Sequence, residues 1–142
     1  MRKLILASHG SLAEGMQSAA RMILGAHAEG ILAYGLDRWE TPQHILTQVK
    51  AVMEVERSTE VAILCDIKGG SVYNQLLPLC EEERVCVFTG MNLNLVLELM
   101  MADGNDWPAE RETAMRLAKE GIACFDKRTI EAVKDMEEDS LW

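Results

Sequence analysis

The chain has 142 residues, 49% of them hydrophobic, and a formal net charge of −9. It is long enough to bury a core without staples, so residues 1–142 read as one domain with a short acidic tail from about residue 137. The charge would repel nucleic-acid phosphates and an anionic membrane face, which excludes both as direct partners. The N-terminal apolar run is too brief for a signal peptide and no stretch is long enough to cross a bilayer, so the expected location is cytosolic.

In chain order, Lys3–Ser8 is a continuous apolar run that reads as a buried strand. Leu12, Met16, Ala19, Ala20, Ile23 and Leu24 then recur at helical spacing, with Gly25 suited to the helix end. Ile31–Leu36 supplies a second strand, and Thr41-Pro42 is a cap followed by proline in the first helical position, opening a helix to about Arg57. Val61–Cys65 is a third strand, and Gly69-Gly70-Ser71 opens a helical pattern through Leu79 that Pro78 shortens or kinks. Arg84–Phe88 is a fourth strand, followed by a Thr89–Asn92 turn and a helix over Leu93–Met101. Asp106-Trp107-Pro108 starts a helix ending at Gly121, Ile122–Phe125 is apolar enough for a fifth, edge strand, and a last helix runs from Thr129 to about Glu138. Strands alternating with helices predict an α/β fold: a three-layer α/β/α, doubly wound, mostly parallel sheet of order 2-1-3-4, built from right-handed crossovers.

The chemistry is expected where strands end. His9 stands between an apolar strand and a helix start, the place in a parallel sheet where ligands gather. It reads either as a nucleophile for a phosphoryl group or as a turn cap filling a half-buried gap. Asp66 follows the third strand and by itself reads as an ordinary turn former. In order 2-1-3-4, however, the first and third strands are neighbours at the winding reversal, which sets Asp66 on the turn facing His9. A carboxylate accepting the proton of Nδ1 fixes the imidazole tautomer and leaves Nε2 free to attack. Gly10, Gly69, Gly70 and Ser71 are the candidate phosphate-binding residues, since glycines let backbone N–H groups approach oxygens and a serine hydroxyl can donate. Lys68 either screens that charge or is simply solvated.

Three stretches together resemble the mannose-family IIA domain of the phosphoenolpyruvate-dependent sugar phosphotransferase system (PTS): His9-Gly10 with Leu12-Ala13 and Gly15; Asp66 with Gly69-Gly70-Ser71 and Asn74; and Gly90-Met91-Asn92-Leu93 with Leu97-Glu98. The resemblance spans nearly the whole chain. It implies a cytosolic phosphocarrier in which His9 receives a phosphoryl group on Nε2 from the phosphohistidine carrier protein HPr, with Asp66 bonded to Nδ1. His9 then passes the group to a IIB component that phosphorylates the sugar imported by the membrane permease subunits. It also implies a homodimer, toward which the apolar segment Ile122–Phe125 would contribute by pairing across subunits. Val72 and Tyr73 stand where the family usually has proline and phenylalanine, Asn94 where it often has proline, and Lys68 is atypical; these departures bear on the docking partner and leave His9 and Asp66 intact.

Other readings keep their own discriminators. A related domain donates phosphoryl groups to a dihydroxyacetone-type kinase or acts in regulation, although the Gly-Gly-Ser-x-x-Asn pattern is closer to the sugar branch. A flavodoxin-like ligand-binding module would use the same crevice, yet no dinucleotide or P-loop fingerprint is present. An aspartyl-phosphate receiver would need an acidic pair after the first strand, where Ser8-His9 stands instead. Neither a metal nor a cofactor is expected, and His27 and His44 read as surface residues without acidic or thiol neighbours at ligand spacing. Cys65, Cys80, Cys86 and Cys124 lack C-x-x-C spacing and read as reduced packing residues, and the nine methionines read mostly as core. Trp39, Trp107 and Trp142 read as subunit contacts or exposed loop residues, and Glu137-Glu138-Asp139 as a solvated tail.

Overall fold

Four strands, β1 (Arg2–Ser8), β2 (Ile31–Gly35), β3 (Glu60–Cys65) and β4 (Val85–Phe88), form one parallel sheet in the order β2-β1-β3-β4. The structure is a computed structural model that describes the backbone of residues 2–140 and the side chains of residues 2–136. Trp142 and the side chains of the acidic run Glu137–Asp139 lie outside the described residues. Parallel strands need crossovers, and these are supplied by α1 (Leu12–Leu24), α2 (Pro42–Val55) and α3 (Ser71–Leu76), with α4 (Leu93–Met101), α5 (Trp107–Glu120) and α6 (Lys127–Ser140) following β4.

The two central strands are apolar from Leu4 to Ala7 and from Val61 to Cys65 because both sheet faces are covered there. Alternation along each strand then divides the core. Leu4 and Leu6 of β1 and Ala62 and Leu64 of β3 point to the face packed by α1, α4 and α5, among Ala13, Ala20, Leu95, Val96, Leu99, Ala114 and Ala118. Ile5 and Ala7 of β1 and Val61, Ile63 and Cys65 of β3 point to the opposite face, against Ile45, Val49 and Met53 of α2 and Val72 and Leu76 of α3. Helices on both faces with the winding reversed at β1 and β3 are the doubly wound arrangement, and they leave a crevice beyond the carboxyl ends of those two strands.

Several helix boundaries follow from local chemistry. Thr41 Oγ1 accepts from His44 N at 3.2 Å, Asn92 Oδ1 from Leu95 N at 2.9 Å and Asp106 Oδ1 from Ala109 N at 3.2 Å, so α2, α4 and α5 each begin on a side-chain cap. α3 stops at Leu76, and Pro78 sits in a 3₁₀ turn over Leu77–Glu81, because proline supplies no N–H to continue an α-helix.

Ile122–Phe125 is not a fifth strand: among the described residues the sheet has four, and Ile122 and Phe125 are 76% and 59% exposed. Apolar content alone does not make a strand, which needs a neighbouring row of N–H and C=O groups. This segment runs from α5 to α6 without lying in register with β4. Of the cysteines, Cys65 is buried and Cys86 half-buried, but Cys80 and Cys124 are exposed and do no core packing. Met53 and Met91 are core residues, whereas Met22, Met101, Met115 and Met136 are exposed. Trp107 is half-buried against Phe88 with Arg2 stacked 3.4 Å above its ring, and Trp39 packs edge-on to Tyr34, so both belong to the core margins.

Candidate functional site

The turn that carries His9 is closed from below. Ser8, fully buried at the end of β1, accepts the N–H of Ala13 on its hydroxyl at 2.7 Å, satisfying one of the unpaired donors at the start of α1. Ser11, the residue in the cap position, makes no side-chain cap bond. Gly10 has φ +51°, a conformation glycine adopts without penalty, and lets the chain reverse from strand to helix. His9 is thereby pushed out at the strand tip with about half its side chain exposed (49%).

Asp66 reaches the same point from the neighbouring strand. Ala7 pairs with Cys65 in the β1–β3 register, so the next residues leave the sheet side by side. Asp66 Oδ2 accepts the His9 backbone N–H at 2.8 Å and lies 2.8 Å from His9 Nδ1, while Oδ1 accepts the Ile67 N–H at 2.9 Å. An ionised carboxylate only accepts, so the neutral ring carries its proton on Nδ1 and its lone pair on Nε2. Burial alone would push the Asp66 carboxyl up. The hydrogen bonds from the His9 backbone and ring and from the Ile67 N–H outweigh it and hold the group below the usual carboxylate range.

Around Nε2 the structure sorts the remaining candidates. Ser71 Oγ stands 3.4 Å from Nε2, at the long end of hydrogen-bond reach. Gly69 takes φ +80°, and Gly70 gives the ring room: a Cβ there would lie 3.1 Å from His9 Cε1 and 2.8 Å from Ile67 Cγ2. The N–H of Gly70 is spent on Ile67 O at 3.2 Å, so it is not a free donor beside the ring, and the next helical bond is Asn74 N–H to Gly70 O at 2.9 Å. His9, Asp66, Gly70 and Ser71 are thus brought together. Lys68 lies instead on the rim of a separate groove. In the third stretch, the Met91 N–H bonds Cys65 O at 3.1 Å and Asn92 caps α4, which are structural tasks. His27 and His44 are exposed.

Three contributors were not evident from the sequence. Ser8 reads there as the end of an apolar run. Glu14 and Gly35 join the back of the His9 turn through a 2.9 Å bond from Gly35 N–H to Glu14 Oε1. A small hydroxyl residue at the last strand position, five before a helical N–H, was the signal for Ser8; nothing in the sequence pairs Glu14 with Gly35.

A second concavity lies away from His9. A groove of about 770 Å³ runs along the outer edge of β4 beside α5, lined by Val87, Phe88, Arg111 and Met115 with Ile122 at one end. Among the described residues no cluster of three or more His, Cys, Asp or Glu is gathered as a metal would require, and no helix is long and apolar enough to cross a membrane.

Fold and site together define a doubly wound α/β domain that presents a carboxylate-tethered imidazole at its switch point. Residues 3–115 match the profile of the EIIA-man family, described as the PTS system fructose IIA component, and the chain belongs to that family. IIA components are phosphotransferases in the broad sense, and the family's place is that of a phosphocarrier in sugar uptake, exchanging with HPr and IIB components. Among solved structures, the chain is similar to the mannose/sorbose-specific IIA subunit of the phosphotransferase system from Enterococcus faecalis (21% identity, TM-score 0.75, covering 88% of this chain and 95% of that one). It is also similar to the phosphotransferase system component EIIA from Streptococcus agalactiae (23%, 0.77, 88% and 98%). A third is the PTS IIA protein associated with the fucose utilization operon from Streptococcus pneumoniae (25%, 0.68, 90% and 94%). The first two likenesses speak to the fold alone.

Proposed function

We propose that the protein is a cytosolic phosphocarrier of a sugar PTS in which His9 is the phosphoryl acceptor. The observation that carries this reading is the half-exposed His9 ring with Nδ1 tied to Asp66 and Nε2 beside the exposed Ser71 hydroxyl. Nε2 attacks phosphorus on phospho-HPr, the N–P bond to the donor imidazole breaks as the N–P bond to His9 forms, and the Nδ1 proton stays on the Asp66 bond. The ring gains positive charge during attack, which the carboxylate offsets. The Ser71 hydroxyl and the first amides of α3 face the phosphoryl oxygens. Such transfer asks for in-line positioning and charge stabilisation. The reverse chemistry on a IIB component completes the relay.

The same reading includes a homodimer. It is supported by the position of β4 at the end of the sheet, with no further strand paired to it among the described residues, and by the exposed Ile122 and Phe125 on the arm that follows α5.

Incubation with labelled phospho-HPr is the test. Label that is labile to acid, stable to base and absent from His9→Ala supports the assignment. Label on another residue, or none, overturns it.

A further inference from the structure

We infer that Glu14 is a positioning residue for the phosphoacceptor turn, an inference that rests on the phosphocarrier reading of His9. The observations concern the back of the turn, away from Asp66. Glu14 Oε1 accepts the N–H of Gly35 at the end of β2 at 2.9 Å. The segment so anchored holds the carbonyls of the two residues that flank His9: the Leu36 N–H donates to Ser8 O at 2.9 Å and the Asp37 N–H to Gly10 O at 3.3 Å. Gly35 is buried, and a Cβ on it would collide with both Gly10 O and the Glu14 carboxylate, so turn, strand end and helix side chain are in direct contact.

Glu14 Oε2 is enclosed and has no hydrogen-bond partner among the described residues. An unpaired, enclosed carboxylate oxygen is costly, and each such group in a folded protein calls for a reason. Here the reason is geometric. Asp66 fixes the imidazole from the β3 side, but the backbone on which the ring is mounted is held from the β2 side, through Gly35–Asp37. Glu14 spans that gap from α1. It touches neither His9 nor the incoming phosphoryl group, and acts through Gly35 on the carbonyls of Ser8 and Gly10. Since a misplacement of about 1 Å can cost roughly 100-fold in transfer rate, loosening this clamp should be read in the chemistry at His9.

The experiment compares Glu14→Ala, Glu14→Asp and Glu14→Gln in the full chain. The aspartate is one methylene too short to reach the Gly35 N–H, whereas glutamine keeps an oxygen at the right length. Phosphoryl acceptance is followed with phospho-HPr and separately with phosphoramidate, which phosphorylates imidazoles without a docked protein. The His9 ring nitrogens are followed by NMR with no donor present, below each variant's melting transition. The expected result is about a tenfold slower acceptance for Glu14→Ala and Glu14→Asp from both donors. The Nδ1 resonance should shift as the Asp66 contact loosens, and Glu14→Gln should restore both readouts. Wild-type rates and ring resonances in the alanine and aspartate variants, with only a lowered melting temperature, would overturn the inference, as would a glutamine variant as slow as alanine. If the unaltered chain takes no label on His9 from either donor, the phosphocarrier reading itself fails. Should Glu14→Ala not fold, the aspartate–glutamine pair decides alone.

Discussion

Replacing Asp66 separates the two services its carboxylate performs. Oδ2 receives the His9 N–H and faces Nδ1, both at 2.8 Å, and Oδ1 receives the Ile67 N–H at 2.9 Å. In Asp66→Asn one oxygen remains; if it faces His9, the new NH₂ confronts the Ile67 N–H, a donor against a donor. With the side chain only 10% exposed, that mismatch should cost about 1–3 kcal/mol of stability. The chemical step loses something different. A hydrogen bond to a charged group contributes about 1.5–3 kcal/mol and a neutral one about half that. The cationic ring formed as Nε2 attacks is therefore less stabilised by roughly 1–1.5 kcal/mol, about tenfold in rate. Asp66→Ala removes the whole bond and should approach 100-fold. Rapid-quench transfer from labelled phospho-HPr, run below the melting transition of every variant, measures the order wild type, Asn, Ala. An Asp66→Asn protein that accepts phosphate at the wild-type rate would refute the reasoning, as would equal rates for Asn and Ala.

Gly70→Ala is expected to disturb chemistry more than folding: its backbone φ of −73° suits any residue, and Ile67, whose Cγ2 lies 2.8 Å from the new Cβ, is 57% exposed and can turn away, whereas the Cβ also presses on His9 Cε1 at 3.1 Å. Transfer should slow by about tenfold with a melting temperature near wild type. The lowered titration of Asp66 makes its contribution to stability present above the ordinary carboxylate range and lost as pH falls through the folded value. The stability difference between wild type and Asp66→Asn in urea titrations should accordingly be full at neutral pH and shrink below about pH 4. Ile63→Ala, at a fully buried position of the central strand β3, should cost about 2–5 kcal/mol in the same assay and leave the His9 ring resonances of the folded protein unchanged.

Much of this architecture is legible from local pattern. The four apolar runs, the helical spacing after each, and the Thr41, Asn92 and Asp106 cap positions act over a few residues, so they can be read without knowing what lies across the sheet. Pro78 likewise ends α3 by its own chemistry. The failures share a cause. Ile122–Phe125 has strand composition but no backbone row to pair with, and Cys80 and Cys124 are small and apolar yet stand where nothing covers them. Met22 and Met136 sit at helical positions whose exposure depends on where neighbouring elements happen to pack.

The same division runs through the site. By itself the amino-acid sequence determined that a histidine would follow the first strand, that an aspartate would follow the third, and that glycines would let both turns reverse, because each depends on a strand running out and a helix beginning. Only the tertiary structure decided that Asp66 meets Nδ1, that Gly70 must lack a side chain beside the ring, and that Glu14 reaches Gly35 behind it. Those contacts join residues 57, 61 and 21 positions apart. They exist because parallel pairing of β1 with β2 and β3 brings three strand ends to one rim, and a sum over distant elements is not written in any one stretch of chain.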